Sequence, residues 1–250
     1  MSVRFHAPDA ERAGDRVALP DEEAQHLTRV LRLKAGAAVR VFNGRGHEFD
    51  ALVERAAKSG VQVIVGAVRE PAAREPRVAV TLAQSVLKGD KMDDVVRDAV
   101  MMGVAAIQPI VAARSEVTLS SLQRGTRLER WGRIAVSSAK QCGRATVPPI
   151  LAPLDLDAVI AALSAMTLPG PGLLFAEPSA AAEAMALGDL DPAPPRETTV
   201  VIGPEGGWEP SEVERASAAC RLITLNSPTL RADAMPLIAL TALFTRWGEL

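Results

Sequence analysis

Val200-Val201-Ile202-Gly203-Pro204-Glu205-Gly206-Gly207-Trp208 is a β-branched apolar run that stops at a loop of glycines around one carboxylate. Val200 to Ile202 suit a strand covered on both faces, as in a parallel sheet. Gly203, Gly206 and Gly207 permit backbone angles and close approaches that a Cβ would block. Ser211-Glu212-Val213-Glu214 reads as a capping box opening a helix. The loop therefore sits at a strand-to-helix turn, where open α/β sheets bind their ligands.

Outward from this loop, strand and helix patterns alternate back to Arg77 and on to the last residues. Strands are predicted over Val78 to Val86, Val104 to Val111, Gly172 to Ala176, Thr198 to Ile202 and Leu222 to Leu225. Helices are predicted over Met92 to Met102, Arg127 to Cys142, Leu156 to Met166, Ala180 to Leu187, Ser211 to Ala219 and Pro236 to Trp247. Such alternation argues for a parallel sheet with helices on both faces. Before Arg77 the pattern changes. Short apolar runs at Val39 to Phe42, Phe49 to Val53 and Val61 to Val65 are separated by Asn43-Gly44-Arg45-Gly46 and Lys58-Ser59-Gly60, which predicts a small β-barrel. One helix, Asp21 to Val30, interrupts it, with Asp21, Glu22 and Glu23 at the positive end of its dipole. Glu70 to Pro76 has two prolines and no apolar anchor larger than alanine, so the expected organisation is a domain over 1–69, a linker over 70–76 and a domain over 77–250.

With 250 residues and 48% hydrophobic composition, the chain can bury cores in both domains. Its net charge of −2 hides a regional imbalance: residues 76–150 hold 11 Lys/Arg against 6 Asp/Glu, whereas 151–250 hold 5 against 13. A basic middle segment suggests a localised anionic partner, or simply a solvated helix face. Two cysteines, Cys142 and Cys220, are too few for a disulfide framework, and no Cys/His cluster has metal-ligand spacing, so a reducing cytosol and no metal are expected. The first residues lack the apolar core of a signal peptide, and no apolar run approaches ~20 residues, so a soluble, cytoplasmic protein without a membrane span is expected. Tyrosine is absent and Phe plus Trp make 3%, which disfavours a stacked-aromatic nucleic-acid platform. His6, His26 and His47 pair with no evident nucleophile, and there is no Gly-x-Ser-x-Gly elbow.

The loop 203–208 fails both common phosphate templates, having neither Gly-x-Gly-x-x-Gly spacing nor a following Gly-Lys-Ser/Thr. Glu205 weighs against phosphate as well. A carboxylate inside such a nest repels an anion by roughly 4 kcal/mol per unit-charge pair at ~4 Å and an effective dielectric near 20. A neutral or cationic ligand fits better, and S-adenosylmethionine, with a sulfonium, an ammonium and ribose hydroxyls, is such a ligand. Glu205 could equally accept from backbone amides. A second candidate loop, Leu225 to Pro236, joins the last strand to the last helix and places Arg231 and Asp233 before the helix N-terminus. Asn226 there can take a left-handed conformation. A third cluster runs from Arg114 to Arg144, with seven Lys/Arg and two Asp/Glu, and phosphate contact is its functional reading.

In order, these pieces resemble the RsmE family of 16S ribosomal RNA uridine-N3 methyltransferases, within the SPOUT superfamily. The resemblance is carried by Arg4-Phe5, His26 with Val30-Leu31-Arg32, Phe42-Asn43-Gly44, Lys88-Gly89-Asp90-Lys91-Met92, Gly103-Val104, Arg114-Ser115, Gln141-Cys142-Gly143-Arg144 with Val147-Pro148, Ile202 to Gly207, and Leu230-Arg231. It implies an α/β protein with a PUA-like RNA-binding β-barrel at the N-terminus. It also implies a C-terminal SPOUT methyltransferase domain whose parallel-sheet chain forms a trefoil knot, which general connection rules disfavour. It further implies a homodimer acting on 16S rRNA in the small ribosomal subunit. S-adenosylmethionine would be held by Gly203, Pro204, Glu205, Gly206, Gly207, Leu225, Asn226, Leu230 and Arg231. Arg231 is the expected stabiliser of the uridine anion, with Glu205 or Asp233 taking the N3 proton or orienting the base. Arg4, Arg32, Lys88, Arg114 and Arg144 are the expected RNA contacts. Rival readings are a related enzyme methylating a tRNA ribose 2′-hydroxyl, an inactive assembly factor, and a nicotinamide dehydrogenase disfavoured by the missing glycine fingerprint. The family commonly has glutamate where Asp233 and Lys140 stand, glycine where Asn226 stands and Glu-Leu where Met101-Met102 stand. Lys140 reverses a charge.

Overall fold

The computed structural model describes residues 3–57, 60–176 and 184–250. The chain divides into two compact units: Met1–Glu75 together with Val136–Val147, and Pro76–Ala135 together with Pro148–Leu250. The continuous 77–250 domain expected from sequence did not allow for residues 136–147, which belong by their contacts to the first unit.

In the first unit, β1 (Arg4–His6), β2 (Arg16–Ala18), β3 (Ala38–Phe42), β4 (Glu48–Ala57) and β5 (Gly60–Arg69) form one sheet in the order β1-β3-β4-β5-β2. The β1–β3 pair is parallel and the remaining pairs are antiparallel. The barrel predicted from sequence is thus one whose hydrogen-bond ladder stops at β1 and β2. Alternation along β4 and β5 sends Phe49, Ala51, Val53, Val61, Val63 and Val65 inward, where Phe5, Leu27 and Val41 complete the core. The connection from β3 to β4 is closed by Asn43, whose Oδ1 accepts from the amides of Arg45 and His47 at 2.9 and 3.2 Å. Helix α1 (Asp21–Gln25) continues as a π-helical turn over His26–Val30, so the predicted helix is present with a change of pitch at His26.

In the second unit, β6 (Ala79–Ser85), β7 (Ala106–Val111), β8 (Leu154–Asp155), β9 (Gly172–Phe175), β10 (Met185–Ala186), β11 (Glu197–Ile202) and β12 (Cys220–Thr224) form a parallel sheet in the order β10-β12-β9-β11-β6-β7-β8. Its helices are α2 (Lys91–Met102), α3 (Leu119–Arg124), the N-terminal half of α4 (Arg127–Cys142), α5 (Leu156–Ser164), α6 (Pro210–Ala216) and α7 (Met235–Arg246). Strand β11 lies between β9 and β6, and Val200 and Val201 are both fully buried, as an uninterrupted apolar run requires. The first half of the helix expected over Ala180 to Leu187, residues 180–183, lies outside the described residues. Its described end, Met185–Ala186, is a strand paired with β12. Among the described residues no helix is long and apolar enough to cross a membrane.

Because every pair in this sheet is parallel, all strands end on one edge. The chain runs outward from β6 through β7 to β8, then returns to lay β9 on the far side of β11. This reversal is a topological switch point, and the three neighbouring strands β12, β9 and β11 deliver their C-terminal ends beside it.

Candidate functional site

Those three strand ends open into a cleft of about 360 Å³. Phe175 ends β9 and Ala176 follows it, Ile202 ends β11 and Gly203 to Trp208 follow it, and Thr224 ends β12 and is followed by Leu225 and Ser227 to Leu230, with Met235 closing the wall from α7. The walls are mainly apolar side chains and backbone, as small-molecule sites usually are.

Two glycines of the loop are required by a neighbour and the third by its backbone angle. A Cβ at Gly203 would stand 3.0 Å from the Trp208 ring, whose Nε1 donates to the Phe175 carbonyl at 2.9 Å. A Cβ at Gly206 would stand 3.0 Å from the Arg114 stem, while Arg114 Nη1 donates to the Gly206 carbonyl at 2.8 Å. Gly207 has φ +66° and closes a turn by donating to the Pro204 carbonyl at 2.9 Å.

Glu205 has a specific use in this structure. Its Oε1 accepts from Lys91 Nζ at 2.8 Å and from the Lys88 amide at 3.1 Å, which ties the loop to the start of α2. Burial pushes its carboxyl upward, but the Lys91 ammonium and the backbone amides outweigh this and hold it below its ordinary range. Lys91, 114 positions earlier in the chain, is therefore the counter-ion of Glu205, and a cationic ligand is not required to balance its charge. To act as a base, the carboxylate would have to leave Lys91.

Arg231 and Asp233 form a two-pronged pair, with Nε to Oδ1 at 3.0 Å and Nη2 to Oδ2 at 2.9 Å. Each partner favours the charged form of the other, so Asp233 is held below and Arg231 above its ordinary value. Arg231 is 76% exposed, and neither it, Asp233 nor Asn226 lines the cleft. Asn226 adopts the left-handed conformation expected for it, with φ +50°. The structure thus brings Gly203 to Gly207, Leu225 and Leu230 together around the cleft and leaves Asn226 and Arg231 outside its wall.

The expected RNA contacts divide. Arg32 is exposed at φ +53°, just past the π-helical turn, and Lys88 is exposed and paired with Glu116 at 2.9 Å. Arg144 instead is 3% exposed and bound by Glu75 at 2.6 Å. Arg4 is likewise turned inward. It pairs with the fully buried Glu48 at 2.8 Å and donates to the carbonyls of Lys140 and Arg144 at 2.8 and 3.0 Å, at the C-terminal end of α4. Both arginines serve the interior of the first unit, because buried carboxylates and free helix-end carbonyls need donors. Arg114, expected at RNA, lines the cleft. The charge-reversing Lys140 is accommodated nearby: its Nζ lies 2.7 Å from Glu23, 3.0 Å from His26 Nδ1 and 4.8 Å from the Phe5 ring centre.

The capping box of α6 is shifted from its predicted place. Glu209 is the N-cap and Glu212 its reciprocal partner, with Pro210 in the first turn, rather than Ser211 with Glu214. Glu212 Oε1 also accepts from the Ala113 amide at 2.8 Å, fixing the loop that carries Arg114. Sequence reasoning missed Phe175, Trp208 and Met235 as cleft residues. The Trp208 position directly after Gly207 was the one available signal.

The chain that builds this cleft is matched by known family models. A family model described as an RNA methyltransferase domain matches residues 74–244, and one described as an RNA methyltransferase PUA domain matches residues 19–66. The class is therefore that of RNA methyltransferases. The crystal structure of a ribosomal RNA small subunit methyltransferase E from Neisseria gonorrhoeae bound to S-adenosylmethionine is 30% identical, has a TM-score of 0.85, and is aligned over 99% of this chain and 98% of its own. A Legionella pneumophila protein solved in complex with the same cofactor has a TM-score of 0.86 at 29% identity, over 98% of each chain. The ribosomal RNA small subunit methyltransferase E of Bacillus subtilis is 28% identical over 89% of this chain and 87% of its own length. The chain belongs to the ribosomal RNA small subunit methyltransferase E family.

Proposed function

We propose that this protein transfers a methyl group from S-adenosylmethionine to N3 of a uridine in the 16S rRNA of the small ribosomal subunit. The observation that carries the reading is the cleft of about 360 Å³ walled by Gly203 to Gly207, by Leu225 and by Ser227 to Leu230, at the switch point of the sheet. Its composition fits the cofactor: Phe175, Ile202, Trp208 and Leu230 offer apolar surface to a purine, and the glycine backbone offers hydrogen-bonding groups to hydroxyls. When bound, S-adenosylmethionine supplies an electrophilic methyl group.

The chain's own residues supply the rest. The loops 203–207 and 225–230 hold and orient the ligand. Arg231 stabilises negative charge on a uracil carbonyl as N3 loses its proton. Asp233 aims that guanidinium and is the nearer candidate to receive the proton, since Glu205 is committed to Lys91. Arg32 and Lys88 hold rRNA phosphates, and the PUA unit carries part of the RNA contact.

The chain from β11 to α7 is tied in a trefoil knot, supported by a strand order in which β11 enters between the earlier β9 and β6. The protein is a homodimer that pairs through α2 and α7, two helices that pack on each other and leave Met101, Leu237 and Ile238 exposed. It works in the cytoplasm, where its substrate is made.

The test is methyl transfer from labelled cofactor to small subunits purified from a strain lacking this modification, with the product nucleoside identified by mass spectrometry. N3-methyluridine is the expected product. A 2′-O-methylated nucleoside would replace the N3 assignment with its ribose rival, and cofactor binding without transfer would replace it with an assembly role.

A further inference from the structure

Resting on the reading of the cleft as an S-adenosylmethionine site, the geometry points to Arg114 as the group that binds the carboxylate of the cofactor's amino-acid tail, making it a specificity-determining residue of the cleft. The cofactor carries one anionic group. Among the described residues that line the cleft, Arg114 is the only cation and Glu205 the only carboxylate, and Glu205 is already paired with Lys91 at 2.8 Å. A carboxylate entering the cleft therefore meets a single guanidinium.

Arg114 is also placed to use it. Its stem lies against Gly206, where a Cβ would come within 3.0 Å, and its Nη1 donates to the Gly206 carbonyl at 2.8 Å. The loop beneath it is held by Glu212, which accepts from the Ala113 amide at 2.8 Å. The side chain is thus pinned before any ligand arrives, which lowers the ordering cost of binding. A guanidinium has five N–H donors, of which the Gly206 carbonyl takes one. The closest carboxylate, Glu209, stands 4.0 Å from Nε, beyond hydrogen-bond reach. Donors remain for a planar carboxylate, the acceptor whose shape matches the fork. The expected role at an RNA phosphate fits this setting less well, because the guanidinium is held down on the cofactor loop.

The experiment is isothermal titration calorimetry of the full chain with S-adenosylmethionine and with decarboxylated S-adenosylmethionine, which differ only in the carboxylate. Wild type should prefer the carboxylated form. Arg114→Met should weaken that form by about 10- to 100-fold, as loss of a hydrogen bond to a charged group does. It should leave the decarboxylated form unchanged or tighter, because that ligand no longer faces a cation. Arg114→Lys should recover part of the preference. A purely structural role predicts equal weakening of both ligands, and that result would overturn the assignment. Unchanged affinity for both, with a shallower salt dependence of rRNA methylation, would overturn it in favour of a phosphate contact. If wild type bound neither ligand, the cofactor reading would fall and this assignment with it.

Discussion

The two loops that wall the cleft are built in opposite ways. Residues 203–208 are anchored from outside: Glu205 by Lys88 and Lys91, Gly206 by Arg114, and Trp208 by the Phe175 carbonyl. Residues 225–235 are held from within. Arg231 pairs with Asp233 two positions on, and the Arg231 carbonyl accepts from the amides of Ala234 and Met235 at 3.0 Å each. The first loop is fixed in shape before it meets a ligand. The second keeps Arg231 exposed beside a half-buried Asp233, in a pairing weak enough to exchange for another partner. One loop is suited to the ligand that must always sit in the same place, the other to the substrate that arrives and leaves.

If this division is right, Arg231→Ala should lower turnover by about 10²- to 10³-fold, the loss typical of a missing charge-stabilising donor, while calorimetry shows unchanged cofactor affinity. A parallel loss of cofactor affinity would place Arg231 in the wall and end the comparison. Gly203→Ala attacks the opposite side. A methyl group 3.0 Å from the Trp208 ring must displace it, so cofactor affinity should drop about tenfold or more, with about 1–3 kcal/mol of stability lost on denaturant titration. Glu205→Gln and Lys91→Met should each weaken cofactor binding severalfold with turnover retained at saturation. The double variant should be no worse than either single one, since both remove the same contact; additive losses would show that the two residues act separately.

The smallest effect concerns pH. Glu205 is held below its ordinary value of 4.5, so the anchoring it gives is complete at neutrality and above, and is lost as pH falls through its lowered value. Cofactor affinity should therefore stay level from pH 8 down to about 5 and decline only in more acid solution. A decline starting near pH 6.5 would point to a histidine instead.

Much of this arrangement could be read from the chain. Val200 to Ile202 followed by three glycines could be little other than a buried strand with a site at its end, because backbone freedom and apolar content are local properties. Asn226 with its positive φ, and Pro236 in the first turn of α7, were legible for the same reason. The partners of charges were not. Lys91 lies 114 positions before Glu205, and Glu75 lies 69 positions before Arg144. Of the cationic cluster, Lys140 and Arg144 turn to carboxylates of the first unit and Arg114 to the cleft, while Arg124, Arg127, Arg130 and Arg133 stay exposed. The capping box slipped by two residues because Glu209 and Ser211 both satisfy the local pattern, and the bond from Ala113 to Glu212 that accompanies the observed choice is non-local. Likewise β10, two residues long, takes its identity from pairing with β12 rather than from its own composition.

The discontinuous membership of the first unit bears on how the protein is made. Its barrel strands end at Arg69, yet the unit also includes Val136–Val147, among them Lys140, which pairs with Glu23, and the carbonyls that satisfy Arg4. During synthesis the nascent chain must extend about seventy residues past the last of those strands before Glu23 and Arg4 find these partners. A gene fragment cut at the apparent linker would encode the strands without the segment that completes them. A fragment expressed from residue 1 to 75 should be poorly soluble, whereas grafting 136–147 onto its C-terminus should restore solubility.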